Sequence, residues 1–399
     1  MYENIENVSL EDAFQILIQQ TKPLDSELIS PLQAAGRILA EDIIAPHNLP
    51  SYRQAAMDGF ALAETTSDRF LIKKHLEAGE VPSFTLKEGE AAGVVTGGHI
   101  PQGTAVVVRD EDVCVEGSYL SIKSSNPQVN NIREQGEDFL AGTVIAKRGT
   151  KISPGLISIL TAYGFRKISA VRLPRVAVLS LGKEIIPFDQ GIKPGQVRDS
   201  NGPLLASLVS THGGSPIAVA VPASSAKKEL DALLQKADLV LTIGGTAAGS
   251  NDQAKNILEE IGAQPLFLGY QVKPGSHSCA GIRDGKLVIM LSGNPVACFV
   301  GYHLLVYPVL RALQGLTAEL LHIPAVATSG FPKKGGPRRF LLGYTIYSPE
   351  GWRVAVLPGQ KSSMRRSLAD CNCLIDLAAG HPPVKPGEQV VIIPIQNLI

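Results

Sequence analysis

The stretch DLVLTIGGTAAGSND, from Asp238 to Asp252, reads as a buried strand running into a glycine turn and then into the start of a helix. Asp238 to Ile243 is a nearly unbroken apolar run, the pattern of a parallel strand covered on both faces. Gly244, Gly245 and Gly249 remove side chains where the backbone turns tightly or lets a ligand come close. A helix predicted from Asp252 to Ile261 aims its unpaired N–H groups into that gap, and such helix starts favour anions, phosphate above all. Taken alone, the stretch is equally compatible with a plain strand-to-helix connection in which Asp252 does no more than cap the helix.

The same grammar recurs along the chain. Leu287 to Leu291 is a second apolar strand, followed by Ser292-Gly293-Asn294-Pro295 and an apolar helix from Val296 to Leu313. Asn as N-cap and Pro at the first helical position are what a helix start prefers. Arg175 to Ser180 is a third strand, leading into Leu181-Gly182-Lys183-Glu184, and Arg198-Asp199-Ser200-Asn201 precedes a helix predicted over Pro203 to Thr211. As neighbours in one parallel sheet, these strands would bring their loops together at its carboxyl edge, where open α/β sheets bind ligands.

The 399 residues exceed one ordinary core, so several domains are expected. Lys plus Arg is 37 and Asp plus Glu is 37, a net charge of zero that argues against nucleic acid or an anionic membrane as the main partner. Cys114, Cys279, Cys298, Cys371 and Cys373 form no CxxC pair and no zinc-like spacing, which points to reduced thiols and a cytoplasmic setting. The start, MYENIENVSLEDAF, lacks the apolar segment of a signal peptide. The run from Val296 to Leu313 is broken by His303, Pro308 and Arg311 and is expected to be a buried helix, with no membrane span.

In chain order, Ser9 with Asp12 resembles a capping box before an amphipathic helix, and Leu28 to Ala40 carries a second apolar stripe, so the beginning is expected to be a helical support piece. From Pro46 to Asp138 short strands alternate with Gly and Pro. Within that stretch Met57-Asp58-Gly59-Phe60 is a turn that carries an acid, and Arg133-Glu134-Gln135-Gly136-Glu137-Asp138 is either a solvated charge cluster or a set of carboxylates of the type Mg²⁺ recruits. A helix at Pro154 to Tyr163 rejoins the support piece. Residues from Ile323 onward alternate apolar and polar between turns, as a small all-β domain does. The expected domains are 1–45 with 140–172, 46–139, 173–322 and 323–399.

The ordered series MDGF (57–60), TGG (96–98), GED (136–138), DSN (199–201), GG…GxxD (244–252), KPG (273–275) and GNP (293–295) resembles the molybdopterin molybdenumtransferase family, to which the gephyrin E domain is related. The resemblance spans essentially the whole chain. It implies a multidomain α/β protein: a doubly wound central molybdopterin-binding domain, a mixed N-terminal support domain, a strand-rich second domain and a small C-terminal β barrel. It further implies a cytoplasmic homodimer that hydrolyses the pyrophosphate bond of adenylylated molybdopterin with Mg²⁺, inserts molybdate and releases AMP. Molybdopterin adenylyltransferase and molybdoenzyme maturation proteins are candidate partners. Carried over by motif, Asp58, Thr96 and Asp138 come from the second domain, and Glu184 and Asp252 from the central domain, as catalytic residues. The four acids Asp58, Asp138, Glu184 and Asp252 are the metal ligands implied. Ser200, Gly244, Gly245, Gly249, Lys273, Ser292, Gly293, Asn294 and Pro295 are the implied substrate-binding set. Oxygen ligands of this kind suit a hard Mg²⁺ bridging phosphates.

The chain also departs from the family pattern. LGKE stands where TGDE is usual, so Lys183 adjoins Glu184; SGNP replaces PGNP; Ser276 and His277 follow KPG where a further lysine is usual; and Asp370 and Cys371 replace a more typical pair. A diverged paralogue that binds molybdopterin or acts as a scaffold is therefore the alternative. An adenylyltransferase resembles the central domain alone, and the flanking domains argue against it.

Overall fold

The computed structural model describes residues 5–64, 66–123, 130–220, 226–244, 251–333 and 335–396, without the side chains of 218–220, 226–227 and 251–254. The chain divides into two compact units, Met1–Glu27 with Ala170–Ile399, and Leu28–Ser169.

Among the described residues, the first unit is built on a seven-stranded sheet in the order Glu6–Val8, Gln264–Tyr270, Cys279–Arg283, Lys286–Leu291, Leu239–Ile243, Arg175–Ser180, Ser215–Ala220. All its strands run parallel except Cys279–Arg283, which pairs antiparallel with both neighbours. Alternate residues of one strand enter different cores, because successive side chains point to opposite faces. Val176, Val178, Leu239, Leu241, Leu287 and Ile289 join Leu205 and Val209 of the helix Asn201–Thr211 and the apolar helix Pro295–Leu313. Ala177, Leu179, Val240, Val288 and Met290 meet Leu230 and Leu234 of the helix Ala226–Lys236, and Leu258 of the helix Asn251–Glu260. Helices on both faces make the sheet doubly wound, as the unbroken apolar runs require. Pro295–Leu313 is long and apolar enough to cross a membrane, yet 83% of its apolar window is buried inside the protein, where it serves as the central core helix. A π-helical turn at Tyr302–Val306 interrupts it.

The C-terminal strands close into a small barrel, Arg338–Ser348, Gly351–Val356, Ile323–Ala327, Gln389–Pro394 and Cys373–Leu377, with the last pairing back onto the first. Val272–Lys273 runs parallel to Arg338–Arg339 and so joins the barrel to the end of the central sheet. Phe340, Leu342, Leu374 and Ile393 share the core of the central helices, so barrel and sheet are one packed body.

In the second unit a six-stranded sheet, counted among the described residues, runs Val106–Arg109, Gly59–Leu62, Glu90–Val94, Phe70–His75, Tyr119–Ile122, Val113–Glu116. Helix Pro154–Ala162 starts on Ser153, whose Oγ accepts from the N–H of Leu156 at 3.2 Å.

One expectation is corrected here. Ser9 does cap the helix Leu10–Gln19, with the Asp12 N–H donating to its Oγ at 2.9 Å. Leu28 to Ala40, however, is not helical: it contributes to the strand Ser26–Ile29 and then forms a 3₁₀ turn, Pro31–Gln33, capped by Ser30. Gly36, at φ +76°, takes a left-handed conformation that no helix continues through, and Pro31 biases Ser30 away from helical geometry. Similarly, Glu6–Val8 adds an edge strand to the central sheet although ENV has no apolar pattern.

Candidate active site

The carboxyl ends of the central strands lie side by side: Ser180 pairs with Ile243, and Ile243 with Leu291. The turns that leave them are therefore adjacent. The Leu181 N–H donates to Ile243 O at 2.7 Å, and the Gly244 N–H donates to Leu291 O at 3.0 Å. Gly244 has φ +84°, and a Cβ there would sit 2.5 Å from Leu181 O. Its N–H is used within the sheet, so its contribution is the missing side chain, which lets the turns touch. A Cβ on Gly293 would come within ordinary contact of Gly244, 3.6 Å from its Cα.

A buried carboxylate ties this edge together. Asp199, 7% exposed, accepts from Ser180 Oγ at 2.7 Å and from the N–H groups of Asn201 at 3.1 Å and Gly202 at 2.9 Å. It therefore caps the helix that begins at Asn201. Ser200, which the family resemblance places in the substrate-binding set, makes no capping bond with its side chain. Asn201 Nδ2 in turn donates to Gly293 O at 2.7 Å, while its buried Oδ1 has no partner among the described residues. Ile185–Ile186 pairs parallel with Val197–Arg198, which links the LGKE turn to the DSN turn. Glu184 and Lys183 are both exposed on that turn. Gly182 holds φ +155°, and a Cβ on it would lie 3.0 Å from both Glu184 carboxylate oxygens.

Asn294 precedes Pro295 at the start of the core helix without a side-chain capping bond. Among the described residues the N–H groups of Gly293 and Asn294 have no protein partner, so they remain open donors at a helix start. Ser292 is half-buried beside them. Lys273 is exposed where Val272–Lys273 meets the barrel. The KPG turn reaches the same helix, since a Cβ on Gly275 would be 3.3 Å from Ala297 O. Gly245 and Gly249 lie outside the described residues, as does the side chain of Asp252; the helix Asn251–Glu260 includes Asp252 in its first turn.

In the second unit Asp58 and Thr96 lie at the ends of two paired strands, with Gly59 opposite Val94. The Thr96 N–H and hydroxyl both donate to Asp58 Oδ1, at 2.7 and 2.9 Å. These bonds, the N–H first, hold the Asp58 carboxyl below its usual range. Gly59 must be glycine: at φ +156° a Cβ would collide with Val108 O at 2.0 Å. The segment Gln54–Ala55 joins the other pieces. Ala55 exchanges bonds with Gly97 and Gly98 on one side and pairs with Ile132 on the other, with Gln54 opposite Arg133. Arg133 reaches Asp138 at 2.8 Å, and Arg53 grips both oxygens of Glu134 through Nε at 2.9 and 3.2 Å. The acid-rich turn is therefore a set of exposed ion pairs, and Asp138 already has a cation of its own.

Among the described residues no three His, Cys, Asp or Glu side chains gather as a metal site. Asp58 and Asp138 belong to one unit, and Glu184 and Asp252 to the other. The cysteines are free thiols, with Cys114 alone exposed. Sequence reasoning missed Asp199, Asn201, Arg53 and Arg133 as organisers of these turns. For Asp199 a signal existed, an Asp just ahead of a helix start. For the others the partner lies far along the chain.

Three family models match in series: the MoeA N-terminal region (domain I and II) over residues 8–164, a probable molybdopterin binding domain over 177–312, and the MoeA C-terminal region (domain IV) over 324–395. The molybdopterin molybdenumtransferase of Staphylococcus epidermidis is 30% identical, covering 97% of this chain and 95% of its own. That of Staphylococcus aureus is 29% identical over the same shares, 97% and 95%. A molybdopterin biosynthesis MoeA protein from Pyrococcus horikoshii superposes with a TM-score of 0.83 at 28% identity, covering 98% of this chain and all of that one, 100%. With the glycine turns at one sheet edge and likeness along nearly its whole length, the chain belongs to the molybdopterin molybdenumtransferase family, transferases of molybdenum cofactor biosynthesis.

Proposed function

We propose that this enzyme inserts molybdenum into adenylylated molybdopterin and releases AMP, the last step of molybdenum cofactor synthesis. The observation that carries this reading is the convergence of the turns at Leu181, Gly244 and Ser292–Asn294 on one sheet edge, bound together by Asp199. Open N–H donors at Gly293 and Asn294 suit the phosphate of the pterin substrate, and Lys273 supplies a cation on a neighbouring turn. Gly244 and Gly293 leave room for the substrate to approach the backbone. Asp58, held ionised by Thr96, and exposed Glu184 orient water or substrate oxygens, and no activated protein nucleophile is needed when water attacks the anhydride.

The donor set fits Mg²⁺ in its chemistry: the exposed carboxylates of Asp58, Asp138 and Glu184, with Asp252 as the fourth acid, would be the residues to hold it. The ion would neutralise charge on the phosphates. Because those acids divide between the two units, the proposal includes a cytoplasmic homodimer in which each copy completes the other's site. Sedimentation that finds a fully active monomer would remove that part.

The decisive assay incubates the purified protein with adenylylated molybdopterin, molybdate and Mg²⁺ and follows AMP release together with molybdenum incorporation. No AMP above the protein-free control would sink the reading. Tight substrate binding without AMP would favour the binding or scaffold role, for which exposed Lys183 beside Glu184 is the supporting feature.

A further inference from the structure

The barrel sends one loop over the sheet edge, and its roots are pinned. Gln360 accepts from the Leu342 N–H at 3.0 Å and donates to Leu342 O at 2.9 Å and Leu357 O at 2.7 Å. At the other end Ser367 Oγ donates to Pro358 O, and the Cys371 N–H donates to Ser367 O. Between these roots, Ser362 O accepts from the Val296 N–H at 2.9 Å, in the first turn of the core helix. Arg365 crosses to the DSN turn, where its Nε donates to Ser200 Oγ at 3.1 Å.

That single bond leaves the rest of the guanidinium open. Among the described residues, neither terminal nitrogen of Arg365 has a hydrogen-bond partner, and no carboxylate pairs with it. Lys361, Arg366 and Lys273 likewise have no ion pair among the described residues, although Arg53, Arg133, Arg172 and Arg338 all do. One residue beyond Ser200, Asn201 keeps a buried carbonyl oxygen without a partner among the described residues, beside the Gly293 turn that it holds. An oriented guanidinium with free N–H groups, next to open backbone donors at Gly293 and Asn294, is complementary to a tetrahedral oxyanion.

We propose that Arg365 is a contact residue for an oxyanion at this sheet edge, and that Ser200 is the positioning residue that aims it. The inference deepens the function proposed above and rests on it for the identity of the anion, which is either molybdate or the phosphate ester of the substrate. Arg365 supplies there a second positive charge beside that of Lys273, where Ser276 and His277 follow KPG in place of a further lysine.

Anion binding to the full-length resting protein tests this without turnover, so its outcome is separate from that of the AMP-release assay. Molybdate alone and AMP alone are titrated calorimetrically into the wild type, Arg365→Leu, Arg365→Lys, Ser200→Ala and a control, Arg353→Leu, on the barrel wall. Thermal unfolding of each variant is recorded alongside. Arg365→Leu is expected to weaken one probe by roughly 10- to 100-fold, the value of a charge-assisted hydrogen bond, with the unfolding midpoint unchanged. Arg365→Lys recovers part of the loss, because it restores charge but not the fork geometry, and Ser200→Ala falls between. Loss confined to molybdate assigns the site to the metal oxyanion, and loss confined to AMP assigns it to the phosphate. The proposal is overturned if the wild type binds neither probe, or if Arg365→Leu binds both as the control does.

Discussion

Replacing Asp199 tests whether one buried carboxylate organises the candidate site at the sheet edge. Its side chain accepts three hydrogen bonds, from Ser180 Oγ and from the N–H groups of Asn201 and Gly202. Asp199→Ala leaves two helix-start donors and a buried hydroxyl without their acceptor. Bonds to a charged acceptor are worth about 1.5–3 kcal/mol each but act here as one network, so a loss of roughly 3–5 kcal/mol is expected. Asp199→Asn should behave differently. Its carbonyl oxygen still accepts both N–H groups, and its amide donates to Ser180, whose hydroxyl can turn to accept. Only the charge is lost, for about 1 kcal/mol. Trp352, the single tryptophan, lies in the barrel that shares a core with Leu205 and Val209 of the capped helix, so its fluorescence during urea unfolding reports on this unit. The Asn201 link to Gly293 O adds a functional readout, a higher KM for the pterin substrate in Asp199→Ala. A loss below about 1 kcal/mol in Asp199→Ala, or equal losses in both variants, would refute the assignment.

Asp58→Ala should lower AMP release by roughly 100-fold while leaving the unfolding midpoint in place, because the side chain is exposed; unchanged turnover would remove Asp58 from the site. Thr96→Val removes the hydroxyl bond and keeps the N–H bond, so the Asp58 carboxyl should rise only part of the way to its ordinary range; the acid limb of the pH–rate profile should move modestly to higher pH, and an unmoved limb would contradict the hydroxyl's share in the pairing. Lys183→Asp should lower the Mg²⁺ concentration for half-maximal activity, by only a few-fold because both charges are exposed and screened; a raised substrate KM with an unchanged metal requirement would show instead that Lys183 faces the substrate. For Asp238, burial opposes ionisation, but Arg172 at 2.6 Å, with the Arg175 N–H and side chain, holds the carboxyl down to about 2. A carboxyl lowered on folding stabilises the protein above its unfolded pKa, and that contribution is lost as pH falls from about 4 to about 2. Arg172→Ala should therefore cost about 2 kcal/mol at pH 7, and its deficit should shrink below pH 3 in acid titrations of stability; a pH-independent deficit would mean packing alone.

The central architecture was written locally. Apolar runs at Arg175–Ser180, Asp238–Ile243 and Leu287–Leu291, each followed by glycine or a capping residue, specify strand, turn and helix through neighbours only a few residues apart. Their length and unbroken hydrophobicity imply burial on both faces, which makes the sheet parallel and its turns convergent. The alternation after Ile323 foretold a β domain for the same reason. What the sequence could not determine depends on partners distant along the chain. Glu6–Val8 becomes a strand because Gln264–Tyr270 offers an open edge, and Leu28–Ala40, although striped like a helix, yields to Pro31 and Gly36. Asp199 looks like any polar residue before a helix until Ser180 and the sheet bury it. Arg365 looks like a solvated cation until the folded barrel sets it against Ser200, 165 residues away. Local propensity acts through the backbone at short range, whereas desolvation and charge pairing are decided by which distant surfaces meet. The strands and turns could therefore be read from the chain, and the polar network that joins them could be read only from the fold.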